Sequence, residues 1–217
     1  MVMAAQARQA MVDGQVRVND VTNRKIHVAM LGVDREAFVP KSNHAAAYSD
    51  IDLEVADGRF LLKPRDFAKM LQMLEIKPTD LVLDIGPATG YSSAIMGRLA
   101  ETVVALEEDE ELAQKASKAI EVAEADNVAV VSGKFCVGLP DQGPFNVILV
   151  GGAVSETPNA WLQQLADGGR LAVIERQGNL GQAKLYTRSG NVIGSRVVFD
   201  ALAHYLPGFE PVQQFAL

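Results

Sequence analysis

Val82-Leu83-Asp84-Ile85-Gly86-Pro87-Ala88-Thr89-Gly90-Tyr91 sets an aliphatic run directly before a glycine-containing turn and the start of an amphipathic segment. The pattern predicts a strand over Leu81–Ile85, a turn, and a helix over Tyr91–Leu99. Glycine lets the chain turn sharply and lets a ligand approach the backbone, and open α/β sheets gather their ligands at the carboxyl ends of strands. From Asp80 onward, short aliphatic runs continue to alternate with longer amphipathic segments, as when helices cover both faces of a parallel sheet. Further strands are expected at Thr102–Leu106, Val128–Val131, Phe145–Val150 and Arg170–Ile174, the last after the turn Asp167-Gly168-Gly169. Helices are expected at Glu110–Glu124 and Asn159–Leu165, with Pro158 suited to a first turn that has no use for its missing N–H. The fold class is a doubly wound, Rossmann-like α/β sheet.

Two longer strands, Ala183–Thr187 and Val192–Phe199, are joined through Ser189-Gly190-Asn191, which reads as a hairpin turn and closes one edge of the sheet with an antiparallel pair. Before the sheet lies a helical section, with helices expected over Met3–Val18 and Asn23–Leu31. Asp50–Pro64 reads as irregular, and Asp66–Leu74 returns to helix with Phe67, Met70, Leu71 and Leu74 on one face. The expected organisation is one domain over 1–217, with a helical extension and loop over 1–78 and a ligand-binding core over 79–217.

A chain of 217 residues, 48% hydrophobic and 22% charged, has enough apolar surface for a real core. Its net charge of -7 opposes attraction to nucleic acid or anionic lipid, so neither is expected as a partner. Cys136 is the only cysteine, which excludes an intramolecular disulfide, and a small buried apolar role is expected for it. His27, His44 and His204 are scattered without metal-ligand spacing, and Trp161 is expected in the core. No basic flank precedes a long apolar run near the N-terminus, and the apolar stretches, such as Val147 to Val150, fall far short of the roughly 20 residues of a membrane span. A cytoplasmic protein is the expectation.

The glycines at 86 and 90 with Ala88 between them do not make the G-x-G-x-x-G of a dinucleotide site, and lie closer to the G-x-G-x-G of methyltransferases. A second element is the apolar run Val103-Val104-Ala105-Leu106 ending in Glu107, 17 residues after Gly90. An acid there accepts hydrogen bonds from both hydroxyls of a ribose. Strand, glycine turn, helix, strand and acid together indicate a nucleoside site, and these features alone leave NAD open.

Outside that core the chain resembles the protein-L-isoaspartate O-methyltransferases over nearly its whole length. Met11-Val12 through Val16-Arg17 resembles the family's opening helix. Ile26-His27-Val28-Ala29-Met30 followed by Arg35-Glu36-Ala37-Phe38-Val39-Pro40 resembles "V-L-x-A-M … R-x-x-F-V-P". Ala47-Tyr48-Ser49-Asp50 fits "A-Y-x-D", and Leu74-Glu75-Ile76-Lys77-Pro78-Thr79-Asp80 stands where the family has "L-x-L-K-P-G-D". The resemblance implies S-adenosylmethionine as cofactor and an isoaspartyl peptide or protein as partner, whose free α-carboxylate is methylated. With a reference pKa of about 4 that carboxylate is already ionised, so no general base is needed and rate comes from holding the reacting atoms in line. By the same resemblance the methyl-donor site comprises Asp84, Gly86, Gly90 and Glu107, with Pro87, Ala88, Thr89, Tyr91, Glu108, Lys134 and Phe135 beside them.

The chain departs from the family's pattern at two places. The acceptor loop "G-Q-T-I-S-x-P" is Gly58-Arg59-Phe60-Leu61-Leu62-Lys63-Pro64, so both hydroxyl residues are replaced by apolar ones. The "G-D-G" after the third core strand is Gly133-Lys134-Phe135, which removes an acid from the adenine side. A donor pocket that keeps its ribose anchor, with weakened isoaspartyl methylation, is therefore expected. The alternatives are a changed acceptor or a homologue that binds without turnover. Arg59, Lys63 and Arg65 offer charge to an anionic acceptor, though ordinary surface solvation is the expected state of all three.

Overall fold

The computed structural model describes residues 2–211. Helix α1 (Val2–Met11) passes into a π-helical turn, Val12–Val16, and a 3-10 turn, Arg17–Asn19. The single helix expected to Val18 is thus broken in the stretch that holds Gly14, a residue with poor helix propensity. Helix α2 (Arg24–Gly32) starts at Asn23, whose side chain accepts the Lys25 N–H at 3.0 Å and caps it. The segment read as irregular holds a small antiparallel hairpin, β1 (Leu53–Ala56) and β2 (Arg59–Leu61). Leu53 and Val55 face inward along β1 while Glu54 faces out, the alternation of a half-buried strand. Pro64 then opens α3 (Pro64–Leu74), whose apolar face is buried.

The remaining strands form one sheet. They are β3 (Leu81–Ile85), β4 (Thr102–Glu107), β5 (Val128–Ser132), β6 (Phe145–Val154), β7 (Leu165–Gln177), β8 (Leu180–Ser189) and β9 (Val192–Asp200), in the spatial order β5-β4-β3-β6-β7-β8-β9. The first five are parallel, and β7, β8 and β9 are successive antiparallel neighbours. This is the expected doubly wound sheet with its terminal strand pair. β3, β4 and β6 are buried on both faces and accordingly read as mainly aliphatic runs, broken by the buried Asp84 in β3, while the edge strands β5 and β9 are largely open. Strand β7 is longer than expected: Asp167-Gly168-Gly169 lies inside it at a register irregularity, and Gly178 and Asn179 form a second hairpin turn into β8.

One face of the sheet is covered by the N-terminal extension together with α4 (Tyr91–Gly97) and α5 (Glu110–Val122). The other is covered by the segment around Phe135, by α6 (Asn159–Gln163) with its buried Trp161, and by Leu206 from the segment after β9. That last segment docks on the end of β6, with Leu206 N–H donating to Ala153 O at 2.9 Å and Ala153 N–H to His204 O at 2.8 Å. The chain runs outward from β3 through β4 to β5 and then returns to β6, so the order reverses between β3 and β6. Ligands of open α/β sheets bind in the crevice at such a reversal. Among the described residues, no helix is long and apolar enough to cross a membrane.

Candidate functional site

The carboxyl ends of β3, β4 and β6 converge on the turn Gly86–Gly90. Gly86 and Gly90 have φ of +73° and +96°, and Ala88 is held at +54°, a region few side chains adopt. Its N–H donates to Glu107 Oε2 at 3.1 Å, which ties the strained turn to the end of β4. Gly151 of β6 packs so closely on Gly86 that an added Cβ would overlap the Gly86 carbonyl oxygen. The two strands therefore meet backbone to backbone at the crevice.

Asp84 is fully buried at the end of β3. Ser92 and Ser93 each donate a hydroxyl to its Oδ2 at 2.6 Å, and Oδ1 has no hydrogen-bond partner. Burial raises its pKa from 3.8 to about 6, against the two serine hydroxyls that favour the charged form. Glu107 is also fully buried, so it is no surface acid. It accepts the N–H groups of Ala88, Glu108 (2.9 Å) and Asp109 (3.2 Å), and both terminal nitrogens of Arg59, one at 2.8 Å from Oε2 and the other on Oε1.

Arg59 overturns the expectation of surface solvation. It is 6% exposed, enters the crevice from the start of β2, and lies 5.1 Å from the ring centre of Phe135. A guanidinium this deeply buried needs a paired acid, and its planar fork matches a carboxylate edge to edge. The next three residues of the loop border the small cavity beside Gly86. Phe60 stacks on His204 with ring centres 3.7 Å apart, and Leu61 and Leu62 are buried. Lys63 pairs with Asp66 at 3.2 Å, and Arg65 pairs with the same acid at 2.8 Å.

Of the other residues named from sequence, Pro87 lines the crevice, and Thr89 donates its hydroxyl to Phe38 O at 2.6 Å, away from it. Tyr91 is buried among Phe38, Phe67 and Arg35. Glu108 receives Lys134 Nζ at 2.6 Å and the Phe135 N–H at 3.1 Å. Its slight burial raises its pKa, but the Lys134 and Phe135 contacts prevail and hold it low. Lys134, by the same contact, is raised. Cys136 is exposed, contrary to the buried role expected of it, because the chain turns outward directly after Phe135. Trp161 is in the core as expected and donates its indole N–H to Phe135 O at 2.6 Å.

Two further residues at the crevice have no role that the sequence alone assigns. Leu206 packs on Gly86 and Gly152, where no local pattern marks it. Arg35, within the stretch Arg35–Pro40, is 1% exposed and donates to Ala47 O (2.8 Å) and Leu62 O (2.9 Å), which fixes the loop from behind. Burial lowers its pKa, with Tyr91 opposing. The cavity beside Gly86, walled by Phe60, Leu61, Leu62, Arg35 and Tyr91, is only about 20 Å³, room for about one water. A larger hollow of about 830 Å³ lies between Lys63 and Arg65 on one side and the β7–β8 turn on the other, away from Glu107.

Sequence comparison matches residues 6–203 to the model of the protein-L-isoaspartate (D-aspartate) O-methyltransferase family. The chain belongs to that family. A protein-L-isoaspartate O-methyltransferase of Koribacter versatilis is 39% identical over 166 residues, covering 76% of this chain and 75% of the relative. A solved protein-L-isoaspartate O-methyltransferase superposes with a TM-score of 0.80 at 25% identity, over 94% of this chain and 65% of that one. A Plasmodium falciparum protein described as a β-aspartate methyltransferase, in complex with S-adenosyl-L-homocysteine, shares the fold at a TM-score of 0.77 and 20% identity, covering 93% and 98%. Within this family the departures at Arg59, Phe60 and Leu62 fall on β2 and the residue directly after it, and these border the crevice.

Proposed function

We propose that this chain is an S-adenosylmethionine-dependent protein carboxyl O-methyltransferase that acts on the free carboxylate of isoaspartyl residues. The carrying observation is the buried Glu107 carboxylate at the end of β4, beside the Gly86–Gly90 turn at the sheet's reversal point, in a member of the protein-L-isoaspartate O-methyltransferase family. The donor set suits the cofactor. Once Arg59 leaves it, Glu107 offers a carboxylate to two ribose hydroxyls, and Asp84, with one oxygen unpaired, offers an acceptor to an ammonium group. When bound, the cofactor supplies an electrophilic methyl on a sulfonium. The protein's own task is to hold an already ionised acceptor carboxylate in line and to exclude water. Glu108, Lys134 and Phe135 would border the adenine side, with the cation of Lys134 where the family has an acid.

On the acceptor side, Phe60 and Leu62 supply no hydroxyl, and both present apolar side chains to the cavity beside Gly86. One lost donor of this kind is worth about 10²–10³ in rate, so turnover is slower than in relatives that keep both hydroxyls. We infer a cytoplasmic setting and a single catalytic unit made of the extension and loop (1–78) and the α/β core (79–217). A second reading, binding without turnover, draws on the same lost hydroxyls and on Arg59 lying against Glu107.

Transfer of labelled methyl from S-adenosylmethionine separates these readings, with an isoaspartyl peptide, its aspartyl twin and a crude lysate as acceptors. Slow labelling of the isoaspartyl peptide, with none of its twin, is expected. Labelling in the lysate alone would mean a changed acceptor, and no labelling despite cofactor binding would mean the noncatalytic reading.

A further inference from the structure

Glu107 has about four lone-pair positions on its two oxygens and receives five donors, three from backbone N–H groups and two from Arg59. The carboxylate is saturated, and no position remains for a pair of ribose hydroxyls. The backbone donors are fixed by the turn and by the start of α5, so only Arg59 is replaceable. Removing its guanidinium leaves Glu107 with three hydrogen bonds.

Arg59 reaches Glu107 from a hairpin of seven residues in paired strands, whose tip, Asp57-Gly58, is exposed. Leu206 covers Gly86 in the same crevice from the opposite side of the chain. The two are mechanically joined, because Phe60, next to Arg59, stacks flat on His204, two residues before Leu206. Arg59 thus blocks the polar end of the crevice and Leu206 its glycine floor, with one aromatic pair coupling them.

We propose that the β1–β2 hairpin and the segment 204–206 form a latch over the cofactor site, in which Arg59 and the cofactor's ribose compete for Glu107. The inference rests on the methyl-donor reading above. Binding then requires the hairpin to withdraw Arg59 and the terminal segment to lift Leu206, and apparent affinity is reduced by the fraction of molecules that are open.

Calorimetry with S-adenosylhomocysteine on the wild type, Arg59→Ala and His204→Ala tests this, each protein first checked for folding by circular dichroism. If the open form is about one molecule in ten or rarer, Arg59→Ala binds about tenfold or more tightly than the wild type. His204→Ala, an exposed position that only uncouples the two parts, shifts affinity the same way by less. A merely structural arginine would lose stability and affinity together, whereas Arg59→Ala loses stability in thermal unfolding while gaining affinity. Equal affinity in all three proteins, or weaker binding by Arg59→Ala, overturns the latch while leaving the methyl-donor reading intact. No binding by any of the three folded proteins overturns the methyl-donor reading and the latch with it.

Discussion

Replacing Glu107 by alanine removes the acid that five donors converge on, and its cost follows from what is left behind. Arg59, 6% exposed, becomes a buried charge without a partner, and the N–H groups of Ala88, Glu108 and Asp109 lose their acceptor. Breaking a buried pair by removing one member typically costs about 3–5 kcal/mol. For a chain of this size, 1 kcal/mol moves the melting temperature by roughly 2–4 °C, so a fall of about 6–20 °C is expected. Arg59→Ala is milder, because Glu107 keeps three backbone donors. The double variant costs less than the sum of the two, since the second substitution removes the charge that the first one stranded. Urea titration followed by the fluorescence of Trp161, the only tryptophan and fully buried, reads all four proteins. Equal stability of Glu107→Ala and the wild type would refute the buried pair, and strict additivity would refute the coupling.

Three further outcomes are expected. Asp84 has its pKa raised by burial from 3.8 to about 6, so the folded chain keeps a proton that the unfolded chain releases between those values. Its contribution to stability therefore falls as pH rises from about 4 to about 6, by about 3 kcal/mol, and is constant above. Asp84→Asn should gain on the wild type over that window in urea midpoints, whereas parallel curves would remove the burial argument. Gly151→Ala forces β6 away from the Gly86 carbonyl and should cost about 3 kcal/mol or more in thermal unfolding, an outcome inconsistent with an unchanged midpoint. Glu175 accepts hydrogen bonds from Thr157 (2.6 Å), Lys184 (2.6 Å) and Tyr186 at the rim of the large hollow. Glu175→Ala should lower stability by about 1–3 kcal/mol without changing S-adenosylhomocysteine affinity, and a change in that affinity would place the hollow within the cofactor site.

The sheet was legible because its central strands are buried on both faces, which forces the aliphatic stretches Leu81-Val82-Leu83 and Val103-Val104-Ala105-Leu106. The family was legible from motifs outside that core. What escaped were features set by distant partners. The β1–β2 hairpin read as irregular because its strands are only four and three residues long and carry Glu54 and Arg59, although Asp57-Gly58 between Val55 and Phe60 was a turn signal. Arg59 read as a surface cation because nothing local indicates a carboxylate 48 residues away. Its place beside the apolar run Phe60-Leu61-Leu62 was the one hint that it would be carried inward. Leu206 escaped for the same reason, since its partners Gly86, in the turn after β3, and Gly152, in β6, are far from it in sequence.

On the reading proposed above, the Glu107 carboxylate is the ribose anchor of a methyl-donor site, and Arg59 occupies it in competition with the cofactor. A crystal structure of the protein with S-adenosylhomocysteine tests both halves at once. Ribose hydroxyls on Glu107, the Arg59 guanidinium withdrawn from it, and Leu206 lifted from Gly86 are the expected result. S-adenosylhomocysteine bound elsewhere, with the Arg59–Glu107 pair intact, would contradict it.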